Sequence, residues 1–383
     1  MDSPARYLEL LSRAGGATAL EATGGNRGSA PDQEELLDRL QAEIAYIQRK
    51  TGIEPDRDLV DALVSQADEG LSRLLGDGTD AALGPAEVAG LEAVIHTDGS
   101  RPVLFVEDDF IDVMAPSAGD YAVGFSRQEE AVRHVCRSVG RVDDPTAFLG
   151  YQGTAWMLAD GLVATNFHVL QAIAPGCRRE GTRFVGQLNA GVCVHFGHEV
   201  GSLRPERRFP VRRVISVGEA GSPEFAQANG LNFDGLDLAV LELEPVSGYT
   251  FPEPNRVARG DDPGTRGGLA STGRGIYLVG YPGDEHSTTP DLFATLFAGV
   301  KSFKRIAPGR IMAGSGEVPE DPHGWIITHD ASTLGGNSGS AIADYDANGR
   351  TLLGLHFAGR HGRQNWAHSL ERLTPELKPV LAW

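Results

Sequence analysis

The first hundred positions follow a period of three and four. Over 32–51, Leu36, Leu40, Ile44 and Ile47 fall on one helical face, with Leu37 beside it. Asp32 and Glu35 are spaced as a capping box, and Gly52 supplies a stop. A second helix is predicted over 57–75. It aligns Leu59, Leu63, Ala67, Leu71 and Leu74, has Val60 and Val64 alongside, and ends at Gly76. Shorter helices over 4–13 and 85–95 complete a helical region, 1–95. Residues 14–31, rich in Gly, Ala and Ser, read as a linker.

Beyond this region the period shortens to two. Residues 96–137 read as a connecting segment that contains the strand-like Pro102–Glu107. Ser138–Val142 is expected to be the first strand of a β-rich domain over 138–383. In Gly153–Leu170 two apolar runs flank Asp160-Gly161, a dipeptide that accepts the positive φ of a tight hairpin. Leu241 and Leu243 alternate with Glu242 and Glu244, which predicts a half-exposed strand. Residues 252–275 read as a long surface loop. The 49 glycines and 22 prolines suit a turn-rich all-β domain. There is no internal repeat.

Charge narrows the function. With 52 acidic against 34 basic side chains the formal net charge is −18, which argues against a nucleic-acid or anionic-membrane binder. No run approaches the ~18 apolar residues of a membrane span. The start of the chain lacks a basic stretch followed by an apolar core, so no secretory leader is expected. Cys136, Cys177 and Cys193 cannot form a full disulfide framework. The expectation is a cytoplasmic protein with free thiols.

The chemistry concentrates in Thr333–Ser340. A serine needs a base to act as a nucleophile, and donors aimed at the oxygen that becomes negative. In this run Ser338 is the candidate nucleophile. Flanking glycines allow the sharp turn that would aim the backbone N–H groups of Gly336 and Ser338 at one oxygen. His168, expected at the exit of the hairpin's second strand, is the candidate base. Asp237, at the start of the strand ending in Glu244, can fix its tautomer. Asp234 is the rival carboxylate, with a turn before Gly235 as its other role. The chain order is His168, Asp237, Ser338. An α/β-hydrolase has its serine first and a subtilisin its aspartate first.

The blocks Gly153–Leu170, Leu236–Glu244, Ile276–Gly283 and His329–Ile342 resemble the trypsin-like peptidase superfamily, most closely its bacterial glutamyl-endopeptidase-like group, over about 138–375. The resemblance implies a mainly β fold: a chymotrypsin-like double six-stranded β-barrel, here preceded by a small helical region. It implies a serine endopeptidase working through an acyl-enzyme on a protein or peptide, with no cofactor and no metal. It also implies that His356 and Thr333, five residues before the serine, bind an acidic substrate side chain. That group is secreted and uses its mature amino terminus in recognition, whereas this chain carries a long N-terminal extension. Asn337 replaces the aspartate with which digestive zymogens pair a new amino terminus, so that switch is not expected. Residues 343–383 are too few for the last strands plus a PDZ domain.

Several readings stay open. Residues 1–95 are either a packing extension or a control module that binds a protein partner, and the linker favours the second. A catalytically silent scaffold with this fold is the alternative to an enzyme. His195 and His198 are expected on opposite strand faces, which disfavours a metal site. His329 and Asp330 are expected to brace the nucleophile loop. Gly153-Thr154 and Gly280–Gly283 read as turn and strand signals, since neither leads into a helix with Lys-Ser/Thr.

Overall fold

The computed structural model describes residues 4–14, 32–97, 101–180, 183–218, 233–260, 268–282, 302–333, 337–360 and 364–381. The chain divides into two compact units. One comprises Met1–Leu104, Ile111–Arg127 and His286–Lys301. The other comprises Phe105–Phe110, Gln128–Glu285 and Ser302–Trp383.

The first unit is helical. It holds α1 (Pro4–Ala14), α2 (Gln33–Thr51), α3 (Arg57–Asp77), α4 (Pro85–Thr97) and α5 (Tyr121–Arg127). The predicted face of α2 is buried through Leu36, Leu40, Ile44 and Ile47. Its capping box forms by half: Asp32 accepts from the N–H of Glu34, while Glu35 pairs with Arg39 one turn on. Helix α3 runs through Gly76 and stops at Gly78. A methyl group on Gly90 would lie 2.3 Å from the backbone N of Ala67, so the missing side chain lets α3 and α4 touch backbone to backbone. Two buried carboxylates are satisfied inside this unit. Glu43 accepts from the N–H of Ser117, and Glu92 from the hydroxyl of Tyr7.

The second unit is built from strands. They are β1 (Leu104–Glu107), β2 (Phe110–Ile111), β3 (Val139–Asp143), β4 (Tyr151–Ala159), β5 (Leu162–Thr165), β6 (Arg178–Glu180), β7 (Arg183–Val185), β8 (Cys193–His195) and β9 (Arg208–Val217) in its first half. Then come β10 (Ala239–Leu243), β11 (Arg256–Val257), β12 (Gly275–Gly280), β13 (Arg305–Ala313), β14 (Ile326–His329), β15 (Ala341–Asp344), β16 (Thr351–Arg360) and β17 (Gln364–Ser369). Two antiparallel rings of six result. One closes in the order β10-β5-β4-β3-β8-β9. The other runs β12-β15-β16-β17-β14-β13 and closes by pairing β12 with β13. Alternating inward residues such as Val142, Met157, Val163, Val194, Phe209 and Leu241 fill the first ring. No described helix is long and apolar enough to cross a membrane.

Two expectations change here. Residues 96–137 are not a bare connector: they contain β1, β2, α5 and most of α6 (Glu129–Ser138), and β1 extends the second ring beyond β13. The turn between β1 and β2 is held from the barrel. Asp109 is ion-paired to Arg137, Arg204 and Arg207, and its N–H reaches Glu199, which is buried against Lys304. The segment 252–275 is not all surface either. Asn255, Val257 and Ala258 are buried where β11 pairs in parallel with β16, and Ala270 is buried as well.

Candidate active site

Strands β4 and β5 form the expected hairpin, with Trp156 opposite Ala164 and Met157 opposite Val163; Gly161 turns it at φ 69°. The chain does not leave β5 as a loop. Asn166 opens a short helix, α7 (Phe167–Ile173), and His168 lies in its first turn. A helical first turn points free N–H groups outward. The N–H of His168 uses this freedom and donates to Asp237 Oδ1 at 2.9 Å, while its ring Nδ1 lies 2.7 Å from Oδ2.

Asp237 precedes β10 and is centred in a three-residue turn closed by the N–H of Leu238 on Leu236 O. Its side chain is 3% exposed. Burial works to raise its pKa. The His168 charge and the two His168 hydrogen bonds outweigh burial, so the carboxyl stays below its usual range and ionised. Its carbonyl accepts from Asn166 Nδ2 at 3.0 Å, and its N–H donates to His368 Nε2 at 3.1 Å. Of the two candidate carboxylates, Asp237 is the one that accepts from the backbone N–H of His168 and meets its ring Nδ1.

Ser338 is half-buried, and its carbonyl accepts from the N–H of Thr154 at 2.9 Å. A methyl group on Gly153 would lie 3.0 Å from that carbonyl oxygen and 2.8 Å from Val169 Cγ2. Gly153 is thus where the nucleophile loop meets the helix carrying His168. Gly339 (φ 86°) has no room for a side chain: a methyl there would lie 2.0 Å from Thr154 O. Its N–H donates to His356 O, and the N–H of His356 returns to Ser340 O, which fastens the loop to β16. Asn337 is buried, and no charge is available there for an ion pair. Gly336, the other expected oxyanion donor, lies outside the described residues.

The two residues expected to set specificity, His356 and Thr333, belong to the second half of the strand-built unit. His356 is 3% exposed, and its Nδ1 is 3.2 Å from His329 Nε2. Burial, with His329 and His168 nearby, drives its pKa well below the usual histidine value, so the ring is neutral. Thr333 Oγ1 donates to Asn365 Oδ1 at 2.7 Å, and Asn365 Nδ2 donates to Ala331 O at 2.8 Å. The Thr333 hydroxyl hydrogen is therefore committed to Asn365. Gly359 leaves the space above this pair, since a methyl on it would reach 2.4 Å from Asn365 Oδ1.

Other expected residues take structural places. Asp330 pins β13 through the N–H of Arg310. The rings of His195 and His198 lie 5.4 Å apart, not on opposite faces of one strand, because β8 ends at His195. His195 Nε2 is 3.1 Å from Arg204 O, and His198 stacks on Phe303. Three further residues stand around the site: Asn166, Asn365 and His368. Asn166 was the most findable, as a helix-capping type directly before Phe167-His168. The other two reach the site only through the pairing of β17.

A family model described as a trypsin-like peptidase domain matches residues 153–355. A probable serine protease of Lysobacter enzymogenes is 29% identical over 322 residues, covering 80% of this chain and 79% of that protein. Among solved structures, the active form of the Rv3671c protease from M. tuberculosis is 19% identical, covers 64% of this chain and 82% of that one, and has a TM-score of 0.37. The Vibrio cholerae VesB protease is 14% identical, covers 63% of each chain, and has a TM-score of 0.41. With more than half its length matched by that family model, the chain belongs to the trypsin-like peptidases.

Proposed function

We propose that this protein is a serine endopeptidase whose triad is His168, Asp237 and Ser338. The observation that carries the reading is the hold of Asp237 on both the ring and the backbone of His168, on the helix that shares Gly153 with the Ser338 loop. With Nδ1 engaged by Asp237, the basic nitrogen left to His168 is Nε2. Ser338 Oγ attacks the scissile carbonyl and passes its proton to that nitrogen. His168 then gives the proton to the leaving amine, and water hydrolyses the acyl-enzyme. The N–H groups of Gly336 and Ser338 are the proposed oxyanion donors. A fluorophosphonate probe should label the protein at Ser338, and Ser338→Ala should take no label. An unmutated, folded protein that takes none would favour the silent-scaffold reading.

An acidic residue before the cleaved bond is the preference that the pocket supports. Neutral His356 has one ring nitrogen against His329 and can present an N–H from the other, a fitting donor for a carboxylate. Thr333 shapes this pocket through Asn365 rather than by a free hydroxyl. The helical unit, compact in its own right, is proposed as the control module that binds a protein partner. Removing residues 1–95 should change turnover or its response to cell extract, and unaltered behaviour would make it a packing extension. The three unpaired cysteines support a reducing, cytoplasmic location, which cell fractionation would test.

A further inference from the structure

We infer that His368 is a positioning residue for the reaction, holding Asp237 from the second barrel by accepting its peptide N–H. The inference rests on the triad reading above and adds a member to it. Asp237 sits in a three-residue turn before β10, so no strand partner takes its N–H. His368 Nε2 takes it at 3.1 Å, across 131 residues of sequence.

The direction of this bond is fixed by chemistry. A peptide N–H can only donate, so Nε2 must be bare and the neutral ring carries its proton on Nδ1. That Nδ1 is buried and has no hydrogen-bond partner among the described residues. The ring lies flat on Phe357, with centroids 4.5 Å apart, and edge-on to Trp325 at 6.2 Å. Phenylalanine would fill this aromatic slot without stranding a buried donor. What imidazole adds at this place is the acceptor, and the acceptor faces Asp237.

The bond also spans the two barrels. Asn166 holds the carbonyl of Asp237 and His168 engages its carboxylate, both from the first barrel. His368 stands in β17, paired to Leu355 of β16 and Ile326 of β14. The next residue of β16, His356, bonds the Ser338 loop through its backbone. The same pair of strands thus sets the nucleophile loop and the carboxylate that orients the base.

Two variants separate this role from packing. His368→Phe keeps the ring shape and removes the acceptor. His368→Gln offers Oε1 near the position of Nε2. We expect His368→Phe to lower kcat about tenfold with KM unchanged, the size of one hydrogen bond used in the transition state. We expect His368→Gln to recover most of that loss even where its thermal stability is the lower of the two. Full activity in His368→Phe would overturn the inference. So would equal losses in both variants that track melting temperature. Ser338→Ala and Asp237→Asn, measured alongside, keep the two readings apart. If both retain hydrolysis, the triad reading falls. If both are inactive while His368→Phe works normally, only the role of His368 falls.

Discussion

The two barrels hold their parts of the site by opposite electrostatic means. The first buries a charge. Asp237 is kept ionised by His168, and its carboxylate makes two hydrogen bonds to one residue. The second buries neutral imidazoles. His356 pairs with His329, and His368 is stacked on Phe357 with its pKa lowered to about 4 by burial. A buried carboxylate suits a site that must stabilise a cation on the base. Buried neutral rings can shape a pocket and supply donors or acceptors without a fixed charge that would need its own partner. Substitutions on the first barrel should therefore strike the chemistry, and those on the second should strike positioning, specificity and acid stability.

The largest effect tests the shared centre. Ser338→Ala should lower peptide hydrolysis by about 10⁴–10⁶ while leaving the melting temperature near that of the unmutated protein, since one half-buried hydroxyl is removed. Comparable turnover in the variant would take Ser338 out of the mechanism. On the first barrel, Asp237→Asn should lower kcat by about 10⁴, as expected when His168 is held in the wrong tautomer. Asp234→Asn should be nearly silent. The reverse ranking would mean that the buried charge of Asp237 serves the fold and not the base.

The same contrast decides what could be read from the sequence. The first barrel's contribution lies in local signals: the Asp160-Gly161 hairpin, the alternation around Leu241, and His168 and Asp237 directly beside those strands. The helical region was equally legible, because its faces repeat every three or four residues. What stayed hidden was set by long-range pairing. His368 and Asn365 are ordinary strand residues until β17 is laid between β14 and β16. The resemblance implies that Thr333 binds an acidic side chain, and only that pairing shows its hydroxyl taken by Asn365. The helix at His168 is hidden for a different reason, since α7 spans only seven residues and gives periodicity too little length to register.

Acid should expose the second barrel's neutral rings. An unfolded chain protonates a histidine near pH 6.5, whereas folded His368 does so only at about 4. Between these values unfolding takes up a proton, so acid favours the unfolded chain. The stability tied to this ring is fully present above pH 6.5 and is lost as pH falls towards 4. The difference for His368 alone is about 3 kcal/mol, and His356 adds to it in the same direction. Urea unfolding followed from pH 7 to pH 4 should show this slope, and it should flatten in His368→Phe. An unchanged slope would mean that the ring is not held neutral in the fold.

The smallest expected effect is the most specific to the pocket. Glu and Gln are nearly the same shape, so a difference between substrates carrying them before the cleaved bond reads charge alone. Hydrogen bonds to a charged group contribute about 1.5–3 kcal/mol, which sets the Glu-to-Gln ratio of kcat/KM at about ten to a hundred. His356 is neutral and the Thr333 hydroxyl is engaged. The described pocket residues Thr333, His356, Gly359 and Asn365 then offer one imidazole N–H and no cation, which places the ratio near the lower end of that range. His356→Leu should shrink it more than it slows cleavage of an uncharged substrate, as the proposed role of His356 in selecting the substrate without moving the proton requires. Equal rates for Glu and Gln in the unmutated enzyme would remove the acidic pocket and leave the peptidase standing. A preference for Arg or Lys would go further, since the described pocket residues Thr333, His356, Gly359 and Asn365 include no carboxylate to receive a cation.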